Sequence, residues 1–298
     1  MPKDKSVICR RESLKLFAAL LWGGLAGALR LIVCPASVLR AAQSKSSPSG
    51  LTLSWNRDFL DIQGPHIPGG SLRVWYIEAF CRSGSTDRIW EKTVIPQRTE
   101  LIEATSDGKS LKLLTKLDGE VEILHEIRGG EDEVDFHVTA VNRGRAYTDV
   151  VWAQPCIRVG TFTGRGQDDY INRSFIFLDG RLTTLDKTRR SQDALYKGGQ
   201  VYVPRDIDFN DVNPRPVSPD VPSDGLIGCF SADGLYIFAT AWEPYQELFQ
   251  GVLVCLHSDF RLGGLKPGET KTAHGKIYLT KNDTRELLLR YRRDFGHL

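Results

Sequence analysis

Three observations predict an all-β protein, a large antiparallel β-sandwich with a short C-terminal helix. The first is five Asp-Gly dipeptides, at 107–108, 118–119, 179–180, 224–225 and 233–234. Asp-Gly between apolar runs favours a tight hairpin, because a type I′ turn needs positive φ at both central residues. The second is a series of short segments rich in β-branched and aromatic residues: 72–82, 99–105, 110–117, 120–128, 133–142, 149–159, 172–178, 226–231, 235–242, 251–257 and 271–280. The third is period-two alternation. Val134, Phe136, Val138 and Ala140 face one way, and Asp135, His137 and Thr139 the other, as in a strand with one core face.

The chain opens on a segment of a different kind. Arg10-Arg11-Glu12-Ser13-Leu14-Lys15 precedes an uncharged run from Leu16 to Leu29, and Ala41-Ala42 follow. A charged start, an apolar run of cleavable length and a small-residue exit read as an export signal over 1–42. Arg30 cuts the apolar run below the roughly 20 residues that span a bilayer. The pair Arg10 and Arg11, with Leu14 and Lys15, resembles a twin-arginine signal, although Cys9 and Ser13 depart from that pattern. The resemblance implies the twin-arginine export machinery as a partner, passage of a folded protein, and a periplasmic or extracellular location. Residues 43–50, Gln-Ser-Lys-Ser-Ser-Pro-Ser-Gly, read as a flexible linker.

Residues 51–298 remain as one β-sandwich domain with its helix. The formal charge of the whole chain is +2, but seven of its 39 Lys/Arg and two of its 37 Asp/Glu lie in the signal. The rest carries −3 and no basic stripe, which argues against nucleic acid as a partner. Cys81, Cys156, Cys229 and Cys255 sit in apolar, strand-like runs. Buried thiols are expected over a bridge, with Cys229–Cys255 the pairing were one to form. No cysteine/histidine spacing reads as a zinc site, so no metal is predicted from sequence.

Two segments break the strand rhythm. Residues 204–225 hold five prolines and the string Asp206, Asp208, Asn210, Asp211 and Asn213, which reads as a long ordered loop. That string fails the EF-hand pattern, since Asp211 and Val217 replace the required Gly and Glu, and leaves only an irregular Ca²⁺ site at 206–213. No other cofactor is implied. From 283 to 295 the pattern predicts a helix, capped by Asp283, with Glu286 at the capping-box position and a Leu287–Leu289 and Tyr291 face.

The candidate site lies at 240–261. Trp242, Glu243, Tyr245, Gln246, Glu247 and Gln250 read as a loop between two strands, and His257, Asp259 and Arg261 follow the second strand. Carboxylates beside a histidine suit proton transfer on a sugar, and flat aromatics suit stacking on a sugar ring. Glu243 or Glu247 would be the base, His257 the acid, and Asp259 a further catalytic carboxylate. Trp242 would be the platform, with Tyr245, Gln246, Gln250 and Arg261 holding substrate. The alternative is that Trp242 is core and the acids are solvated loop charges. His125, in phase with Val121, Ile123 and Ile127, reads as a buried histidine bonded to backbone, and His137 points to the polar face beside Asp135.

The strand order, the run Val134 to Asn142 ending in Asn142-Arg143-Gly144, Val150-Val151-Trp152-Ala153-Gln154-Pro155, and the turn Leu265-Lys266-Pro267-Gly268-Glu269 resemble the galactose-mutarotase-like β-sandwich over roughly residues 51–281. That resemblance implies a supersandwich fold and a carbohydrate ligand, with epimerase-like or glycan-processing chemistry. No motif carries the family's catalytic residues onto this chain. The alternative function is a non-catalytic glycan- or protein-binding module of the cell envelope.

Overall fold

The structure is a computed structural model that describes residues 50–83, 89–117, 120–194 and 199–296. The export signal with Arg10 and Arg11, and linker residues 43–49, lie outside the described residues. The first strands are β1 (Thr52–Asn56), β2 (Phe59–Gln63), β3 (Ser71–Arg82), β4 (Val94–Ile95), β5 (Gln97–Ala104) and β6 (Ser110–Leu117). Then come β7 (Val121–Gly129), β8 (Glu133–Asn142), β9 (Val150–Arg158), β10 (Ser174–Leu178), β11 (Arg181–Thr184) and β12 (Gln200–Tyr202). The last are β13 (Leu226–Phe230), β14 (Tyr236–Glu243), β15 (Tyr245–Gln250), β16 (Cys255–Arg261) and β17 (Thr270–Lys281). Short helices α1 (Trp90–Thr93) and α2 (Gly160–Thr163) sit in connections, and α3 (Thr284–Asp294) closes the chain.

These strands form two antiparallel sheets. Sheet A has the order β1-β2-β3-β9-β16-β15-β12, with β4 beside β3, and sheet B the order β11-β10-β13-β14-β17-β8-β7-β6-β5. Their inner faces pack together, as alternation dictates: Val134, Phe136, Val138 and Ala140 on β8 are at most 2% exposed. A chain of rings runs through this core. Tyr76 lies 5.3 Å from Phe136, Phe136 5.5 Å from Trp242, and Trp242 4.5 Å from Phe260. Gly275 stands opposite Trp242 on β17, where a Cβ would lie within about 2.5 Å of the indole ring. The small residue there makes room for the large one.

Helix α3 packs on the outer face of sheet B. Leu287 and Tyr291 join Phe175, Phe177, Leu226, Ile237 and Tyr278 in a second apolar cluster. Asp283 caps it by accepting from the N–H groups of Arg285 and Glu286. Arg290 turns away from the last carbonyls and grips Asp132 and Glu133 at the start of β8.

The Asp-Gly turns behave less uniformly than their composition suggests. Asp179 and Gly180 both have positive φ (50° and 71°) and join β10 to β11 as a type I′ hairpin requires. At 233–234 only Gly234 is left-handed, because the Asp233 side chain organises the turn by accepting from Ser231 Oγ and the Leu235 N–H. Asp224-Gly225 joins no hairpin; Gly225 lies under the Tyr245 ring, where a Cβ would collide.

The largest departure from expectation is at 243–251. Sequence reads it as a loop, but the chain leaves sheet B at Glu243 and enters sheet A at Tyr245 as strand β15. Residues 251–254, expected as strand, form the turn into β16. β15, Tyr-Gln-Glu-Leu-Phe-Gln, places polar beside polar and apolar beside apolar around a bulge, so it lacks the alternation that marks a strand.

Candidate functional site

The outer face of sheet A is polar where strands β3, β9, β16 and β15 run side by side. On β16, Leu256 and Phe260 point into the core, so Cys255, His257, Asp259 and Arg261 point out. On β9 the same alternation turns Gln154, Cys156 and Arg158 outward, and on β15 it turns out Glu247 and Phe249. The Pro-rich segment lies across this face. Its Ile207 and Val212 form an apolar cluster with Val201, Val203 and Phe249, and Val217 bridges to Val201.

Between that segment and the sheet is a cleft lined by Glu78, Trp90, Gln154, Arg158, Asn213, Arg215 and His257, among others. Asn213 ties loop to floor: its N–H donates to the Glu247 carboxyl (3.1 Å to Oε2) and its Nδ2 to Gln154 Oε1 (2.7 Å). Gln154 in turn donates to Glu78 (2.9 Å). Glu78 is half-buried at the cleft, the lone acid in the apolar run 72–82. That isolation was the signal that could have marked it.

Glu247 and Asp259 face each other across β15 and β16, and both are 0% exposed. Burial, followed by the charges of Glu247 and Glu78, pushes the Asp259 carboxyl well above the usual carboxylate range. Two buried carboxyls side by side disfavour each other's ionisation, which favours the protonated form of Asp259. The structure therefore brings Glu247, Asp259 and His257 onto one face, as the candidate site requires.

Other candidate residues go elsewhere. Trp242 is not a platform: it faces the core of β14, 2% exposed, between Phe136 and Phe260. The tryptophan at the cleft is Trp90. Glu243 ends β14 on the other sheet and lines a separate groove with His137 and His274. Gln246 and Arg261 anchor the loop, Gln246 donating to the Asp211 carbonyl and Arg261 pairing with both Gln246 and Asp211. Gln250 accepts from Arg190 (3.1 Å), and Tyr245 packs against the core beside Gly225. In the 206–213 string, Asp208 accepts the Asn210 N–H and Asp211 holds Arg261, so these groups serve the loop's own geometry.

The four cysteines are buried free thiols, as expected, and their placement argues against the conditional Cys229–Cys255 pairing. Cys229 lies on β13 of sheet B, whereas Cys255 lies on β16 of sheet A, and both are buried free thiols. The thiol beside Cys255 is Cys156. Donation from the Cys156 S–H, aided by His257 Nε2 at 3.2 Å, holds the Cys255 thiol well below its usual value against the opposing effect of burial. The same hydrogen bond, with burial, pushes Cys156 up. Strand periodicity brings Cys255 and His257 together, a spacing that zinc-ligand patterns in loops do not cover.

His125 is fully buried, but its partners are side chains instead of backbone. Tyr76 Oη lies 2.9 Å from Nδ1 and Thr115 Oγ1 3.1 Å from Nε2, and burial lowers the ring to about 3. His137 is exposed and stacks on His274 at 4.7 Å, both rings 3.0 Å from Asp135. Trp152 is buried on sheet A.

No protein family matches the chain by sequence, and no curated protein matches it. Among solved structures it is similar to a galactose mutarotase-like protein of Lactobacillus casei (8% identity over 77% of this chain and 100% of that one, TM-score 0.42). It is also similar to a galactose mutarotase-like protein of Clostridium acetobutylicum (10% identity, 77% and 94%, TM-score 0.43). A galactose mutarotase related enzyme of Lactobacillus acidophilus gives 11% identity, 78% and 98%, and TM-score 0.38. The chain is a large antiparallel β-sandwich closed by a short C-terminal helix, and the solved structures similar to it include galactose mutarotase-like proteins.

Proposed function

We propose that the cleft on the outer face of sheet A takes a carbohydrate. The observation that carries this reading is the set of groups converging there: the Glu78 carboxyl, the Gln154 and Asn213 amides, the Arg158 and Arg215 guanidinium groups and the Trp90 ring. Amides, carboxyls and guanidinium groups donate to and accept from sugar hydroxyls, and an indole face covers the apolar side of a pyranose. The layout resemblance to galactose-mutarotase-like sandwiches points to the same ligand class.

As an enzyme, the protein would use the proton held by Glu247 and Asp259 as its acid and Glu78 as the opposing carboxyl. His257 engages Cys255 and is replaced in the acid role by this pair. The non-catalytic binding module is favoured by one observation: both carboxyls are fully buried under the Asn213 segment. A thermal-unfolding screen of the full chain against neutral sugars and uronic acids tests the cleft. A ligand should raise the unfolding temperature, and Glu78→Gln or Trp90→Ala should weaken its binding about tenfold or more. Unchanged affinity in both variants would remove the cleft from consideration. Turnover lost in Glu247→Gln with binding kept would select the enzyme.

Export through the twin-arginine machinery to the periplasm or beyond belongs to the same proposal, supported by Arg10-Arg11 ahead of the apolar run. Replacing both arginines by lysine should trap the protein inside the cell. Normal export of that variant would sink this route.

A further inference from the structure

We propose that Cys156, Cys255 and His257 form a binding site for a divalent thiolate-preferring cation, of which Zn²⁺ is the type. The Sγ atoms and the imidazole nitrogen all lie within 4.8 Å of one another, and all three residues are buried. With Zn–S near 2.3 Å and Zn–N near 2.0–2.1 Å, tetrahedral geometry sets ligand separations of about 3.5–3.8 Å. The Cys255 Sγ to His257 Nε2 distance of 3.2 Å needs only a few tenths of an ångström of opening.

Charge fits as well. Two thiolates and a neutral imidazole carry −2, which a divalent ion cancels, so the loaded site is neutral where burial penalises net charge. The same three residues line the cleft, which gives the metal a fourth position reachable from solvent. The backbone leaves space for it. Gly251 passes directly over the ligands, and a Cβ there would overlap the Cys255 sulfur and lie 2.8 Å from His257 Nε2.

A disulfide is the competing use of the two thiols, and the register disfavours it. Cys255 pairs with Arg158 and Leu256 with Ile157, which places Cys156 diagonally from Cys255. Diagonal neighbours stand about 7–8 Å apart at Cα, beyond the roughly 4.4–6.8 Å that most disulfides span. A metal bridges that separation through two bonds in place of one.

The second three-group cluster, Asp135, His137 and His274, differs in kind. Lys276 Nζ lies 3.4 Å from Asp135 and 2.7 Å from Glu133, so an ammonium already holds the carboxyl. Both rings reach the same Asp135 oxygen. That cluster serves as an internal control, since its ligands are oxygen and nitrogen alone.

The test uses the full chain, reduced and stripped with a chelator, then titrated with Zn²⁺ against a chelating indicator and with Co²⁺ as a spectroscopic probe. One ion per chain is expected, with a thiolate-to-cobalt charge-transfer band that Zn²⁺ abolishes. Unfolding temperature should rise by several degrees with saturating Zn²⁺. Cys255→Ser and Cys156→Ser should lose the band and weaken affinity at least 100-fold, and His274→Asn should change neither. Gly251→Ala keeps every ligand and should still lose the ion, which covers the case in which a cysteine variant fails to fold. Absence of the band in protein with titrated free thiols would overturn the site. Binding that survives Cys255→Ser but not His274→Asn would overturn it too, as would a Cys156–Cys255 disulfide whose reduction restores no uptake. The metal site and the sugar cleft fail separately, because the Co²⁺ band requires no sugar.

Discussion

His125 and His257 occupy matching situations, each almost fully buried on a central strand, yet their surroundings are opposite. His125 has a partner on both ring nitrogens, Tyr76 and Thr115, and Thr115 is itself held by Thr99 at 2.8 Å. His257 has only Cys255 on Nε2, while its Nδ1 is buried without a partner. Two residues along the same strand, the Asp259 carboxyl faces only its neighbour Glu247, a second buried carboxyl. Buried polar groups are normally satisfied, and leaving one bare costs about 1–3 kcal/mol. The satisfied cluster on sheet B is architecture. The one on sheet A, with His257 Nδ1 bare and two carboxyls side by side, is held at some expense of stability.

Acid titration should separate the two most widely. The ring of His125 is lowered to about 3 by burial, against an ordinary value near 6.5. Below pH 6.5 the unfolded chain binds a proton there that the folded chain refuses. The stability contributed by neutral His125 is therefore complete above pH 6.5 and is lost as pH falls toward 3. The loss approaches about 1.4 kcal/mol per pH unit, some 4–5 kcal/mol over the window. Urea unfolding at successive pH values should show this slope in the parent and a flatter one in His125→Leu. Equal slopes would mean that His125 takes up its proton freely and is not the core element described.

The paired substitution His125→Leu and His257→Leu probes the contrast directly at neutral pH, because the volume change is the same. His125→Leu orphans the Tyr76 hydroxyl, leaves Thr115 only its bond to Thr99, and should cost about 2–4 kcal/mol. His257→Leu removes an unsatisfied group packed on Phe249, 4.9 Å away, and should fall within about 1 kcal/mol of the parent. Similar losses in both, read from denaturant midpoints at unchanged slope, would dissolve the distinction between them.

The two regions were also unequally legible in the sequence. Period two on 121–127 places His125 among Val121, Ile123 and Ile127, and the sheet follows that pattern strand by strand. The helix was legible because capping chemistry is local. The cleft was not, since its groups come from β3, β9, β15, β16 and the loop, and alternation on one strand says nothing about its neighbour. Glu247, His257 and Asp259 emerged because they are close in sequence. Glu78, Gln154 and Asn213 lie 76 and 59 residues apart along the chain and meet only through pairing. Trp242 was misplaced for a related reason: an aromatic next to acids looks like a binding site until Gly275 is seen opposite, giving it room inside.

Asp259→Asn gives a small effect that depends on pH. The folded Asp259 carboxyl is raised by burial and by Glu247, so it stays protonated where the unfolded side chain has ionised. Its contribution to stability is complete below about pH 3.9 and declines as pH rises through the raised folded value. An amide cannot ionise and can donate to Glu247, so Asp259→Asn should remove that decline. The variant should be more stable than the parent at pH 8 and nearly equal to it at pH 4. It should also lose whatever depends on the Asp259 proton. Gain of stability with loss of turnover would mark the pair as a site maintained against the fold's own interest; loss of stability at every pH would make it part of the architecture, like His125.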